Sequence, residues 1–226
     1  MLSTAMDPPT FIRANTKLLA VPLVPEIRLH IAEESLPIWQ KTEEELGAMN
    51  VPPPYWAFAW AGGQALARFL LDNPAMVADR CVLDLGSGSG LVAIAAAKAG
   101  ARRVLAADID VFAVAAVALN AAANGVTLEI TADDLLGAPA GAFDVVLVGD
   151  LFYERPLADR ALAFAEAAHA QGARVLAGDP RRSYFPKERF RQLAEYSVPV
   201  TRELEDAEIK RTAVWQLEAA EAARGT

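Results

Sequence analysis

The chain has one cysteine, Cys81, and two histidines, His30 and His169, in 226 residues. An intrachain disulfide is therefore excluded, and a reducing compartment fits. Cys81 opens an apolar run and reads as a buried structural thiol. The histidines are far apart and no Cys/His cluster exists, so no metal site is expected. Basic residues are also scarce, 21 Lys and Arg against 29 Asp and Glu, for a net charge of −8. Counterion release on a nucleic acid needs clustered Lys and Arg, so no nucleic-acid partner is expected. An acidic chain better suits a partner with exposed lysines. Long apolar runs are missing too: the longest, Val111 to Leu119, is far short of the ~18–20 residues that span a bilayer. The opening "MLSTAMDPPTFIR" has no basic segment leading into an apolar stretch, so it does not read as a secretory signal. Internal repeats and low-complexity linkers are absent. The expectation is a cytoplasmic, soluble monomer.

What is present is apolar content, 54% of residues, in a chain of a length that suits one domain. From residue 80, apolar strands alternate with Ala-rich helices. The strands are "CVLDL", "RVLAA", "LEIT", "FDVVLVG" and "RVLAG"; the helices span about 89–99, 111–123 and 155–171. Continuous apolar strands imply burial on both faces and hence a mainly parallel, Rossmann-like sheet. Gly172 lies just past the last of these helices, at a C′ position. After "RQLAEY", the runs "SVPVTREL" and "TAVWQL" are joined too tightly for a parallel crossover, so they form an antiparallel hairpin. The predicted fold is α/β, a seven-stranded mainly parallel sheet closed by that hairpin.

Residues 1–50 read as an N-terminal cap, and 51–226 as the main domain. In the cap, Phe11–Leu19 is amphipathic. Ile27, Leu29 and Ile31 alternate as in a half-exposed strand, and "PIWQKTEEELG" reads as a short helix. "NVPPPYWAFAWAGG" then joins the cap to a helix in "QALARFLLDNP", stopped by Pro74. In an extended "YWAFAW", Trp56, Phe58 and Trp60 would share one face. They would roof a bound ligand, or pack the cap. Gly62 and Gly63 would let backbone approach that ligand, and Gln64 would add a polar contact.

The stretch "VLDLGSGSG" places Gly86, Gly88 and Gly90 where a buried strand turns into a helix, the switch-point position at which open α/β sheets bind ligands. A phosphate-binding P-loop is excluded because no Gly-Lys-Ser/Thr follows. The dinucleotide spacing is also broken, since the third glycine arrives one residue early. Asp84, two residues before the first glycine, would repel a pyrophosphate and favour an ammonium or sulfonium. Asp108 ends the second strand, 22 residues after Gly86, where a carboxylate accepts both ribose hydroxyls. Asp110 beside it is placed to cap the next helix. In "TADDLLG", Asp134 or Asp133 would accept from an adenine amino group, Asp134 being preferred. Ribose, an amine and no pyrophosphate together point to S-adenosylmethionine.

The chain resembles the class I S-adenosylmethionine-dependent methyltransferases. More narrowly, it is similar to the lysine methyltransferases grouped with the enzyme that modifies the β subunit of electron transfer flavoprotein. The narrower likeness is carried by "PEIRLHI" (25–31), "PYWAFAWAGGQALARFLLDNP" (54–74), "VLDLGSGSGLVAIAA" (82–96), "DID" (108–110), "VLVGDLFYE" (146–154), "AGDPRR" (177–182) and "TAVWQL" (212–217). A more distant likeness, through "DID", is to ribosomal protein L11 methyltransferases. The resemblance implies S-adenosylmethionine as cofactor, held by Trp60, Gly63, Asp84, the three loop glycines, Asp108, Ile109, Asp134 and Gly149. It implies lysines of the flavoprotein β subunit as acceptors, methylated up to trimethyllysine, with a ribosomal protein such as L11 or another acceptor as the alternative. Asp150 and Tyr153 match the family's Asp/Glu-x-x-Tyr/Phe element. Asp150 would bind and orient the arriving ammonium, while Tyr153 or Phe152 would pack on the methylated amine. The competing reading makes Asp150 a helix cap and Tyr153 packing. Trp56, Phe58 and Phe152 complete the expected substrate contacts. "DPRR" reads as a solvated loop or one that steers an acidic partner.

Overall fold

A computed structural model of the chain describes residues 7–32, 53–200 and 208–219. The expected helix in "PIWQKTEEELG" and much of the cap lie outside these residues. The core is a seven-stranded sheet in the order β5-β4-β3-β6-β7-β9-β8. Five strands are parallel: β3 (Cys81–Leu85), β4 (Arg103–Ala107), β5 (Glu129–Thr131), β6 (Val145–Gly149) and β7 (Arg174–Asp179). The edge hairpin of β8 (Phe190–Pro199) and β9 (Ile209–Leu217) is antiparallel, as the short connection predicts. "RQLAEY" is itself part of β8, so the last strand starts earlier than its apolar run suggests. Most of its side chains are exposed or half-exposed, and they carry no clean alternation.

Period-two side chains in a doubly covered sheet must feed two cores. Val82, Val145, Leu147 and Leu176 meet Leu66 and Leu70 of α2 (Ala61–Asp72) and Val92 and Ala96 of α3 (Leu91–Lys98). On the other face, Leu83, Val146, Val148 and Val175 meet Ala161, Phe164 and Ala168 of α5 (Arg155–Ala170). The alanines let helix backbones approach the sheet closely. The closest approach is at Gly62 and Gly178: a Cβ on Gly62 would lie 2.1 Å from the Gly178 carbonyl oxygen. This seats the first turn of α2 directly on the end of β7.

The N-terminal stretch divides differently from its amphipathic pattern. α1 covers only Pro8–Asn15, with Asp7 capping it through the Thr10 N–H at 3.1 Å. Lys17–Val21 is then β1, paired antiparallel with β2 (Val24–Ile31). Leu18 and Leu19 thus belong to a hairpin and not to a helix. The hairpin buries Val21, Val24, Ile27 and Leu29 against Leu91, Ile94 and Ala95 of α3. Phe11 and Ile12 pack on Phe112 and Ala116 of α4 (Val111–Ala123). One fully buried side chain ties hairpin to loop: Asn120 accepts from the His30 N–H and donates to the Ser89 carbonyl, each at 2.8 Å. Cys81 is half-buried at the mouth of β3, with the Arg102 guanidinium 3.1 Å from its sulfur, so it is not the fully buried thiol expected.

Candidate active site

The chain winds outward from β3 in two directions, to β4 and β5 on one side and to β6 and β7 on the other. The loops after β3 and β6 therefore part at the carboxyl ends of these neighbours, where such sheets open a crevice. A cleft of about 430 Å³ lies there. It is lined by the glycine loop, the ends of β4 and β6, the Pro53–Trp60 segment and Arg182.

One end is built from β3 to β5. Gly86, Gly88 and Gly90 all have positive φ, +65°, +51° and +79°. Gly86 and Gly88 line the cleft. Gly90 does not; it opens α3, and a Cβ there would meet Val117 of α4 at 3.2 Å. Its freedom serves helix packing. Asp84 also lies off the cleft lining. It is 2% exposed, and its carboxylate accepts the Ala93 N–H of α3 at 2.9 Å. Burial first, then the charge of Asp108, pushes its carboxyl up to about 7, against the opposing pull of that N–H. Asp84 therefore satisfies one of the free N–H groups in the first turn of α3.

Asp108 faces the cleft. Its two oxygens accept the Gly88 N–H at 2.8 Å and the Asp110 N–H at 3.0 Å, which fixes the loop around it. Burial raises its carboxyl above the ordinary range. Asp110 caps α4 through the Phe112 N–H at 2.8 Å. Ile109 projects between them, 70% exposed, along the cleft. Asp133 and Asp134 both line the far wall. Asp134 is the more engaged: it caps the turn at Leu135–Gly137 and pairs with Arg160 at 2.7 Å, which holds its carboxyl low. Asp133 accepts from the Thr131 hydroxyl at 2.7 Å.

The other end is assembled from four separate segments. Asp150, just beyond β6, is left-handed (φ 56°) and 8% exposed. One of its oxygens accepts the Gly63 N–H of α2 at 2.8 Å; the other accepts Arg182 Nη2 at 2.8 Å and Nε at 3.1 Å. Gly63 thus reaches the site through its N–H to Asp150 and is not itself in the cleft lining. Neither a bare ammonium receptor nor a helix cap describes Asp150, because α5 starts five residues on with Glu154 as its cap. Gly149 lines the cleft, and a Cβ there would sit 3.5 Å from the Gly63 Cα. Tyr153 lines it as well, with its ring 5.6 Å from that of Tyr55. Burial, with a smaller push from Tyr55, raises the Tyr153 hydroxyl to about 12, so it stays a proton donor at neutral pH.

Three expected substrate contacts are altered. Tyr55–Ala57 is a helical turn, not an extended segment, so the three aromatics do not share a face. Trp60 and Trp56 touch the cleft, but Trp56 is 1% exposed and stacks on Phe112. Phe58 is buried edge-on to Trp60 and is not in the lining. Phe152 points the other way from Tyr153, into the core against Phe185 and Phe190. Gln64 is buried in α2, donating to the Ala59 carbonyl at 2.7 Å and accepting the Leu23 N–H, so its role is structural. Arg182, Arg160 and Tyr55 are among the lining residues the sequence pattern missed. For Arg182 the available signal was "DPRR" at a strand's carboxyl end.

The cleft carries Asp108, Asp110, Asp133, Asp134 and Asp150 against Arg160 and Arg182. That excess of acids fits a cationic nucleoside better than a dinucleotide. Fold and cleft together define a class I S-adenosylmethionine-dependent methyltransferase. Among solved structures, the chain superposes on a Thermoplasma acidophilum protein (TM-score 0.53, 18% identity, 70% of this chain and 90% of that one). It also superposes on the Synechocystis magnesium protoporphyrin IX methyltransferase with bound S-adenosylmethionine (TM-score 0.51, 21% identity, 69% and 78%). At these identities the likeness is one of fold. The family model for ribosomal protein L11 methyltransferase matches residues 65–158. The electron transfer flavoprotein beta subunit lysine methyltransferase of Mus musculus is 38% identical over 95% of this chain and 86% of its own length. The Homo sapiens protein of that name is 36% identical over 91% and 80%. The chain belongs to the family of electron transfer flavoprotein beta subunit lysine methyltransferases.

Proposed function

We propose that the chain transfers methyl groups from S-adenosylmethionine to lysine side chains of the electron transfer flavoprotein β subunit, up to trimethyllysine. The observation that carries this reading is the extent of the likeness, more than nine-tenths of the chain at 36–39% identity to five vertebrate enzymes. It therefore includes the segments that build the acceptor end. The L11 methyltransferase model matches residues 65–158, which reach Asp150 and Tyr153 but include neither the Pro53–Trp60 segment nor Arg182. A Geobacter metallireducens L11 methyltransferase is 51% identical over only 31% of this chain and 23% of its own length. That pattern supports a shared cofactor more than a shared acceptor. We further read the protein as a cytoplasmic monomer.

When bound, S-adenosylmethionine supplies a methyl group on a sulfonium, already activated toward a nucleophile. Asp108 would accept ribose hydroxyls, Ile109 would contact the adenosine, and Asp133 or Asp134 would accept from the adenine amino group. The Gly86–Gly88 backbone lets the ligand lie close to the end of β3. At the other end, Asp150 and Arg182 set the electrostatics around the acceptor amine. Tyr153, Tyr55 and Trp60 offer ring faces to a methylated nitrogen, which they attract by cation–π contact. Since the leaving group needs no further activation, most of the acceleration comes from alignment of amine, methyl and sulfur. The amine proton passes to solvent through the cleft mouth.

The test is transfer of a labelled methyl group to purified flavoprotein, with L11 offered in parallel. Label on β-subunit lysines is expected. Label on L11 alone, or none on either with a chain that binds S-adenosylhomocysteine, would reject this acceptor. Gel filtration with light scattering tests the monomer, and cell fractionation the compartment.

A further inference from the structure

Arg182 enters the cleft from the loop after β7, and three contacts fix it. Its Nε and Nη2 both bind one oxygen of Asp150, at 3.1 and 2.8 Å. Its guanidinium lies 5.6 Å from the centre of the Trp60 ring. Its backbone N–H donates to Asp179 at 2.7 Å. Asp150 (φ 56°) and the preceding Arg181 (φ 67°) are both left-handed. Non-glycine residues adopt this conformation at a cost, and such strain collects at functional sites. The side chain of Arg182 is 19% exposed, and that of Asp150 9%.

We propose that Arg182 is a positioning residue that keeps the acceptor amine neutral, its guanidinium offsetting Asp150 and setting a fixed positive charge beside the arriving lysine. This rests on the lysine-transfer reading above and deepens it. A lysine ammonium has no lone pair with which to attack the methyl group. A free amine ionises near 10.4, so little of it is nucleophilic at neutral pH. A bare carboxylate would hold the ammonium and make this worse, whereas a nearby cation lowers the amine's pKa. Asp179 lies against both members of the pair, and Tyr153 faces Arg182; Tyr153 is in turn faced by Tyr55 across the cleft, Glu154 on its own loop and Asp108 from the end of β4. Burial and the Asp150 charge push Asp179 up to about 7, so it adds negative charge only toward the alkaline side.

The experiment is the pH profile of kcat on flavoprotein with saturating cofactor. It compares the wild type with Arg182→Gln, Arg182→Met and Arg182→Lys, each repeated in an Asp179→Asn background. S-adenosylhomocysteine binding by calorimetry serves as the folding check. In Gln and Met variants that bind, the rising limb is expected to move alkaline by about one unit or more. Activity at pH 7 would then fall about tenfold and recover toward wild type at high pH. Arg182→Lys should keep the limb near its wild-type position. A loss uniform across pH, or a limb that stays put, would overturn the proposal. Loss of cofactor binding in both neutral variants would also overturn it, making the arginine a structural element. No methyl transfer by the wild type to flavoprotein would instead overturn the acceptor assignment.

Discussion

The two ends of the cleft are built by different rules. The cofactor end comes from one continuous piece of chain, β3 through β5, in which each strand delivers its glycine or acid to the sheet edge. The acceptor end is a meeting of the Pro53–Trp60 segment, the first turn of α2, the loop after β6 and the loop after β7. The first can be assembled by local folding. The second exists only when α2 lies on β7, because Gly63 and Arg182 hold Asp150 from opposite elements. A binding surface can thus be nearly local in sequence while the surface that selects and orients the acceptor is a product of tertiary packing.

The sharpest way to break this division is at the seat of α2. Gly62→Ala puts a methyl group 2.1 Å from the Gly178 carbonyl oxygen, a backbone atom that cannot yield cheaply, and 2.6 Å from an Asp150 carboxylate oxygen. A loss of about 3 kcal/mol or more is expected in denaturant unfolding. In any folded fraction, transfer should suffer before cofactor binding does. Next, Asp150→Asn keeps a residue type that tolerates the left-handed backbone but removes the charge that faces Arg182. It should lower kcat by about 100-fold and leave S-adenosylhomocysteine affinity within about threefold of wild type. A comparable loss of affinity would show that the two ends are not separable. Asp108→Ala should do the reverse, weakening S-adenosylhomocysteine by roughly 10- to 100-fold, with kcat at saturation changed far less. The smallest effect concerns pH. Burial pushes the Asp84 and Asp179 carboxyls each up to about 7, against 3.8 for an Asp in the unfolded chain. Between those values the folded chain holds more protons than the unfolded one, so stability falls as pH rises from about 4 to 7. Asp179→Asn should remove roughly half of that fall, seen as a flatter plot of Tm against pH. An unchanged slope would mean Asp179 does not carry it.

The legibility of the sequence follows the same line. The parallel strands, the Asp110 cap, the Asp108 position and the direction of the terminal hairpin could be read directly, because each depends on residues near one another in the chain. Asp84 and Gly90, expected among the cofactor contacts, lie off the cleft lining, because their partners, Ala93 and Val117, are set by helix packing that no spacing encodes. Phe152 and Tyr153 sit side by side in sequence and face opposite ways, one into the core and one into the cleft, which no local pattern distinguishes. Trp56 and Phe58 were assigned by assuming an extended segment, which the prolines before them convert into a helical turn. Arg182 was read as solvated because a polar loop gives no sign of direction; the turn through Asp179 and Arg181 supplies it.

The buried Asn120 amide has a consequence for observation. Because it binds the His30 N–H on one side and the Ser89 carbonyl on the other, a hairpin amide is one side chain away from the glycine loop. Deuterium uptake at that amide becomes an internal gauge of the loop. Whatever steadies Ser87–Gly90 should slow exchange at His30, on a strand that does not line the cleft.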